Sequence, residues 1–229
     1  MNIIAIETST EACSVALLRQ DGELFCEFAI TPREHTRYLP EMLDSVYTQS
    51  GIHRNETDAV AYASGPGAFT GVRIAASTAQ GLALGFEVPL IAVSTLAVLA
   101  QQACDEHNVD NVISALDARM GETYCAHYLR KEQGLVVLQG EEQLIKLDQL
   151  ELPEQAIGAG SGFIASQQAG KQYSASQIIY PDIYPTAIAL VRLAKNAADN
   201  NQQVTIAQTH INYIRNKVAE KKATAAVSF

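Results

Sequence analysis

The chain has 229 residues, 48% of them hydrophobic, and a formal net charge of −9. This apolar content is enough for the core of one large domain or of two smaller lobes. An acidic chain binds nucleic acid poorly on its own because phosphate contacts need clustered Lys and Arg, so we expect any role with RNA to be indirect.

The apolar stretches do not indicate an export signal or a membrane span. The N-terminal run has no basic flank and is interrupted by Glu7, unlike a signal peptide. The most apolar window, Leu82 to Val93, contains Glu87 and Pro89 and is too short to span a membrane. The four cysteines form no C-x-x-C pair, and the five histidines are scattered. We therefore expect a soluble, cytoplasmic protein with reduced thiols and no metal site.

The chain opens with three short apolar segments that predict a meander of strands. Asp21-Gly22 is a turn signal before the third segment. The predicted strands are Ile3–Ile6, Cys13–Leu18 and Leu24–Phe28.

A helix is predicted from Thr36 to Gln49 because apolar residues recur there with helical spacing. Gly51 is placed to end this helix in the left-handed conformation. We expect the apolar stripe to be broader than one helix face would bury within its own lobe. It consists of Tyr38, Leu39, Met42, Leu43, Val46 and Tyr47.

A glycine-rich loop, Ser64 to Gly71, follows the predicted strand Val60–Ala63 and opens a helix of small residues from Thr70 to Gly85. Backbone N–H groups at a helix N-terminus favour anions, so the loop could hold a phosphate; alternatively, its glycines only permit the turn. The small side chains would let a second helix approach closely. A strand over Val88–Val93 and a helix capped by Ser94 are predicted next.

The meander then recurs with similar spacing, which predicts a duplicated lobe. Asp117 follows its first strand as Glu7 follows the first strand of the chain. Ala156 to Gly162 predicts another glycine-rich turn, and the apolar spacing from Ala187 to Ala194 predicts a last helix. The three recurring strands are expected over Val112–Leu116, Thr123–Leu129 and Leu135–Leu138.

Alternating strands and helices of these lengths indicate an α/β fold. We divide it into an N-terminal lobe, residues 1–105, and a smaller C-terminal lobe with a basic tail, residues 106–229. The last segment could also pack back on the first lobe. The tail carries Arg215, Lys217, Lys221 and Lys222, which we interpret as a solvated terminus, with an RNA contact as the alternative.

Several segments, in this order, resemble the TsaB (YeaZ) family. They are Ile4-Ala5-Ile6-Glu7-Thr8-Ser9, His35 to Pro40, Ser64 to Arg73, Val88 to Leu96, Ala115 to Glu122, and Tyr213-Ile214-Arg215-Asn216. The resemblance implies an actin-like, sugar-kinase-like (ASKHA) fold in which each of two lobes opens with a three-stranded meander.

The resemblance also implies a function. Such a subunit binds and supports a larger catalytic paralogue, TsaD, and works through the complex with the ATPase TsaE. The complex adds threonylcarbamoyl to N6 of adenosine 37 in tRNAs that read ANN codons. This chain would need no cofactor of its own, since ATP and metal belong to the partner subunits. It would reach tRNA only through the complex and could form a homodimer when alone.

The family resemblance argues against transferase activity in this chain alone. The paralogue's His-x-x-x-His metal motif aligns with Thr95 and Leu99, and neither is a metal ligand of that type. We expect a lost or weak nucleotide or phosphate site, since Glu7 and Asp117 are better explained as caps of turns between strands than as ligands near a nucleotide. Its candidate residues are Glu7, Thr8, Ser9, Gly65, Gly67 and Asp117.

Two enzymatic alternatives remain. One is a small actin-like phosphotransferase that uses Glu7 and Asp117 with ATP and Mg²⁺. The other is a peptidase acting on its paralogue, for which Ser64 and Ser94 are candidates by location only, since no G-x-S-x-G motif is present.

The helix from Thr36 and the helix from Thr70 are predicted to form the partner surface, as a four-helix interface with the equivalent pair of a second subunit. The alternative is that both helices are simply core. The predicted interface residues are His35, Tyr38, Leu39, Met42, Phe69, Val72, Arg73, Ala76, Ala79 and Gln80.

Overall fold

Two five-stranded sheets form the framework of the computed structural model, which describes residues 1–131 and 133–214. The first sheet is built from β1 (Ile3–Glu7), β2 (Ala12–Leu18), β3 (Leu24–Ile30), β4 (Ala59–Ala63) and β5 (Leu90–Val93). The second is built from β6 (Asn111–Arg119), β7 (Glu122–Arg130), β8 (Val136–Lys146), β9 (Ile157–Ala159) and β10 (Ile179–Tyr180).

The two sheets share one topology. The first has the order β3-β2-β1-β4-β5, and the second repeats it as β8-β7-β6-β9-β10. In each sheet the first three strands are antiparallel and the last two are added in parallel. Ile4, for example, lies opposite Leu17 of β2 and Val60 of β4. The duplicated lobe predicted from the sequence is therefore confirmed.

Five α-helices are present in the described part of the chain. They are α1 (His35–Ser50), α2 (Phe69–Phe86), α3 (Thr95–His107), α4 (Ser161–Gln168) and α5 (Ala187–Asp199). Gly51 ends α1 with a φ of 70°, and the Ser94 hydroxyl accepts the Leu96 N–H at the start of α3. Both predicted helix boundaries are confirmed. No helix in this part of the chain is both long and apolar enough to cross a bilayer.

The helices cover both faces of each sheet. In the first lobe, α1 and α2 pack on one face and α5 on the other. β1 and β4 are consequently buried along their whole length, which explains their nearly unbroken apolar sequences. In the second lobe, α3 and α4 take opposite faces.

The end of the described chain returns to the first lobe. After α5, Val204 forms a bridge with Leu90 at the edge of β5, and the chain continues to Ile214. We call residues 204–214 the strap. The division at residue 105 remains a prediction; it falls within α3, which packs on the second sheet.

Three segments differ from the sequence-based predictions. Residues Ala156 to Gly162 are not a plain turn, because they contain β9 and the start of α4. β8 continues through a polar segment to Lys146, and β6 continues past Asp117 to Arg119. In β8 and β6, pairing with β7 extends the strand beyond its apolar part.

Candidate functional site

A cleft of about 630 Å³ lies between the two lobes. Ser9 and Phe69 line it from the first lobe, Asp117 and Gln168 from the second, and Tyr213 of the strap contributes to its wall. It lies at the carboxyl ends of β1 and β6, the strands that open the two lobes. This is where open α/β sheets commonly bind ligands.

The glycine loop between β4 and α2 packs against the turn that follows β1. A Cβ added at Gly71 would lie 2.0 Å from the Thr8 carbonyl oxygen, and one at Gly67 would lie 2.5 Å from the Ser9 carbonyl oxygen. The Ala68 N–H donates to the Ser9 carbonyl oxygen at 2.7 Å, and the Thr8 hydroxyl donates to the Gly71 carbonyl oxygen at 2.8 Å. Both glycines are therefore explained by close backbone contact.

Glu7 ends β1 as a completely buried carboxyl group. Its Oε1 accepts the Ser9 N–H at 2.6 Å and the Ser9 hydroxyl at 2.5 Å, whereas Oε2 has no hydrogen-bond partner among the described residues. Burial raises the pKa of Glu7 to about 7 despite these hydrogen bonds. Burial and the nearby Glu7 charge also raise the pKa of Cys13, to about 11.

Asp117 is part of a charged bridge across the cleft. Its carboxylate accepts the Arg119 backbone N–H at 2.8 Å and lies 3.0 Å from the Arg119 guanidinium. The same guanidinium lies 3.7 Å from a carboxylate oxygen of Glu11 in the first lobe. Arg119 therefore offsets the negative charge that Asp117 would offer to a metal ion.

The predicted nucleotide-site residues are thus only partly brought together. Ser9, Gly67 and Asp117 lie along the cleft, although Ser9 is fully buried, and Glu7 and Thr8 are fully buried without lining it. Gly65 lies against the strap, since a Cβ there would be 3.2 Å from the Asn212 carbonyl oxygen. Nucleotide binding in this cleft stays a prediction.

The ten predicted interface residues fall into two groups. Six are buried within the chain itself: His35, Leu39, Met42, Val72, Ala76 and Ala79. The other four reach the surface: Tyr38, Phe69, Arg73 and Gln80. Whether these four bind a partner stays a prediction.

The expectation that the α1 stripe exceeds what its own lobe can bury is wrong. Helix α1 packs over β2 and β3 and also contacts α2, so its stripe fills the space beneath the helix. Tyr38 is the one member of the stripe that remains partly exposed. The other five are core residues: Leu39, Met42, Leu43, Val46 and Tyr47. His35 is also internal and contacts the Ala12 carbonyl oxygen at 3.2 Å.

An exposed aromatic and cationic cluster lies at the start of α2. The Arg73 guanidinium carbon is 3.2 Å from the centre of the Phe69 ring and 5.7 Å from the centre of the Tyr213 ring. Phe69 is 58% exposed and Tyr213 is 49% exposed, although both are large. Exposed aromatic and Arg side chains of this kind are enriched at binding hot spots.

The residues aligned with the paralogue's metal motif lie one turn apart on α3. Thr95 and Leu99 are both completely buried, and Leu99 belongs to the apolar core beneath the second sheet. Within residues 1–131 and 133–214, no group of three His, Cys, Asp or Glu side chains is placed to hold a metal ion.

The two serines considered for a peptidase make other contacts. The Ser64 hydroxyl donates to the Val93 carbonyl oxygen at 3.1 Å, and the Ser94 hydroxyl donates to the Glu142 carboxylate. These contacts give no sign of an activated nucleophile.

Sequence analysis missed Glu142, which lies in the polar half of β8. Its carboxylate accepts hydrogen bonds from Ser94, Tyr128 and Asn212, which belong to three separate parts of the fold. One of two adjacent Glu residues in a polar segment gives no sequence signal for such a role. Of the motif Tyr213 to Asn216, only the first two residues are described; Arg215 and the rest of the basic tail lie outside the described residues.

The topology and the interlobe cleft define an actin-like protein of two duplicated lobes. The family model for TsaD, tRNA N6-adenosine threonylcarbamoyltransferase, matches residues 29–223. The chain is 39% identical to the tRNA threonylcarbamoyladenosine biosynthesis protein TsaB of Escherichia coli K12, over 97% of this chain and 98% of that relative. It is 38% identical to TsaB of Haemophilus influenzae, over 97% of each chain.

A solved structure agrees with the sequence relatives. YeaZ from Pseudomonas aeruginosa superposes with a TM-score of 0.85 at 35% identity, covering 93% of this chain and 99% of that one. The chain therefore belongs to the TsaB (YeaZ) family.

Proposed function

We propose that this chain is a non-catalytic subunit in tRNA threonylcarbamoyladenosine biosynthesis that binds and supports a TsaD-type transferase. The observation that carries the proposal is the end-to-end match to TsaB of Escherichia coli. In this proposal the complex modifies N6 of adenosine 37 in ANN-decoding tRNAs. The chain acts in the cytoplasm, meets tRNA and a TsaE-type ATPase only through the complex, and needs no cofactor of its own.

Three features of the site support a non-catalytic role. The positions aligned with the transferase metal motif hold Thr95 and Leu99, which are buried and offer no imidazole. Glu7 is shielded from the cleft, and Asp117 is paired with Arg119. A phosphotransferase would need carboxylates that are free to hold Mg²⁺ beside the phosphates, so this arrangement favours the subunit role over that alternative.

The partner surface in this proposal is the exposed side of α1 and α2. It contains Tyr38, Phe69, Arg73 and Gln80, with Tyr213 of the strap beside them. The buried residues of both helices support this surface from beneath. In the absence of the transferase, the same surface would pair two copies of the chain.

Binding to a TsaD-type paralogue tests the proposal directly. We expect calorimetry to detect a complex, and Phe69→Ala to weaken it by about tenfold or more because the ring is an exposed aromatic anchor. Ile178→Ala is the matched control, since Ile178 is 52% exposed but lies on the second lobe. Unchanged affinity in Phe69→Ala would remove the start of α2 from the interface.

Activity measurements test the non-catalytic assignment. With threonylcarbamoyl-adenylate and tRNA, we expect product when the transferase and this chain are both present and none from this chain alone. Product from the chain alone at the rate of the complex would refute the assignment. Turnover of ATP and Mg²⁺ by the isolated chain would favour the phosphotransferase alternative.

A further inference from the structure

We propose that Glu142 is a latch that fixes the strap, residues 204–214, to the second lobe and thereby positions Tyr213 beside the partner surface. Glu142 is a positioning residue in this inference and does not itself contact the partner. The inference rests on the proposed function for its effect on binding, but the latch itself can be tested without any partner.

The Glu142 carboxylate joins three parts of the fold. Oε1 accepts the Tyr128 hydroxyl of β7 at 2.7 Å and the hydroxyl of Ser94, the residue that caps α3 directly after β5. Oε2 accepts the Asn212 side-chain N–H of the strap at 2.6 Å. Hydrogen bonds to a carboxylate are about twice as strong as those between neutral groups. Burial raises the pKa of Tyr128, which keeps its hydroxyl protonated and able to donate.

The strap is fixed to the first lobe through its backbone. The Asn212 N–H donates to the Ser64 carbonyl oxygen at 2.7 Å, at the foot of the glycine loop. The Tyr62 hydroxyl donates to the His210 carbonyl oxygen at 2.9 Å, and Val204 pairs with Leu90 in both directions. Asn212 is therefore held by the first lobe through its main chain and by the second lobe through its side chain.

The residue after Asn212 lies beside the partner surface. Tyr213 lies beside the Arg73 guanidinium, which in turn lies over the Phe69 ring. A shift of Asn212 would move the Tyr213 ring and remove one side of this cluster. Glu142, in the second lobe, thus controls the shape of a surface in the first lobe.

Moving the carboxylate from residue 142 to residue 212, and the amide in the opposite direction, tests the latch. Asn212→Asp places a second carboxylate against Glu142 and should release the strap by charge repulsion. The double variant Glu142→Gln with Asn212→Asp reverses the polarity of the contact: the new amide N–H can donate to Asp, and its oxygen can still accept from Ser94 and Tyr128. Glu141→Gln is the matched control, because it removes the same charge from the neighbouring exposed residue.

Hydrogen exchange of the free protein at pH 8, followed by mass spectrometry, measures directly how firmly the strap is held in place. We expect peptides covering residues 204–214 to exchange about tenfold faster in Asn212→Asp and at the wild-type rate in the double variant and the control. Unchanged exchange in Asn212→Asp would overturn the latch. If that variant does not fold, Asn212→Ala removes the contact without repulsion and takes its place.

Calorimetry with the TsaD-type paralogue reports the effect on the partner surface. We expect Asn212→Asp to weaken binding by about tenfold and the double variant to restore it. A released strap with wild-type affinity would overturn the positioning role. If the wild-type chain does not bind the paralogue at all, the proposed function fails, and the exchange experiment still decides the latch.

Discussion

Replacing Glu7 with Gln should change how the stability of the protein depends on pH. Glu7 is fully buried, and one of its carboxylate oxygens has no hydrogen-bond partner in the described part of the chain. Burial raises its pKa from 4.5 to about 7. The folded state therefore binds this proton more tightly than the unfolded state, so ionisation of Glu7 opposes folding.

The size of the effect follows from the shift in pKa. Each pKa unit corresponds to about 1.4 kcal/mol, so the change from 4.5 to about 7 amounts to about 3 kcal/mol. This destabilisation is absent below about pH 4.5, grows as the pH rises, and is complete above about pH 7. Gln has no such titration, although its buried N–H groups add a cost that does not depend on pH.

Urea unfolding of both proteins, followed by far-ultraviolet circular dichroism, gives the comparison. Between pH 5 and pH 8 we expect the free energy of unfolding of Glu7→Gln, relative to wild type, to rise by about 2 to 3 kcal/mol. Glu41→Gln, on the exposed side of α1, should show no comparable change. If the difference between Glu7→Gln and wild type were the same at both pH values, the raised pKa of Glu7 would be refuted.

Three further predictions concern packing and thiol reactivity. Gly71→Ala should lower the free energy of unfolding by about 3 kcal/mol or more because its Cβ would collide with the Thr8 carbonyl oxygen. Gly81→Ala, whose Cβ would have no atom within 4 Å, should raise the free energy of unfolding by about 0.5 to 1 kcal/mol. Equal effects of the two substitutions would contradict the close contact at Gly71. Leu39→Glu should be insoluble, or its circular dichroism spectrum should show an unfolded chain, since Leu39 is 3% exposed. A stable folded variant would instead support a place for Leu39 in the partner interface. A thiol reagent at pH 8 should modify exposed Cys26 first, because burial raises the pKa of the thiols of Cys13, Cys104 and Cys125 to about 11 to 12. Rapid labelling of all four thiols would mean that the core opens readily.

Local sequence patterns predicted the first lobe well because its strands and helices alternate in apolar periodicity. The second lobe was harder at Ala156 to Gly162, where three glycines suggested only a turn. A Cβ at Gly158 would lie 2.7 Å from the Phe163 ring, and one at Gly160 would lie 2.5 Å from the Ala115 carbonyl oxygen. Gly158 leaves room for the Phe163 ring of α4, and Gly160 allows the start of α4 to approach β6, a requirement that depends on a residue distant in the sequence.

The candidate site was predicted less completely than the fold. The sequence drew attention to the glycine loop and to Glu7, but not to whether they face the cleft or lie beneath it. Burial is a property of the assembled lobe, in which the glycine loop packs against the turn that follows β1. The Glu142 cluster could not be predicted because its partners are separated from it by 14 to 70 residues.

The return of α5 and the strap to the first lobe has a consequence for the order of folding on the ribosome. The β1 to β5 sheet is synthesised first, but the helix that covers its second face comes only after the whole second sheet. A nascent chain would therefore expose one apolar face of a finished sheet until nearly all of the protein had been made, which invites chaperone binding or aggregation. Folding that depends on contacts so distant in sequence is expected to be slow. The two lobes share one topology, yet the first lobe cannot be completed until the strands of the second have been synthesised.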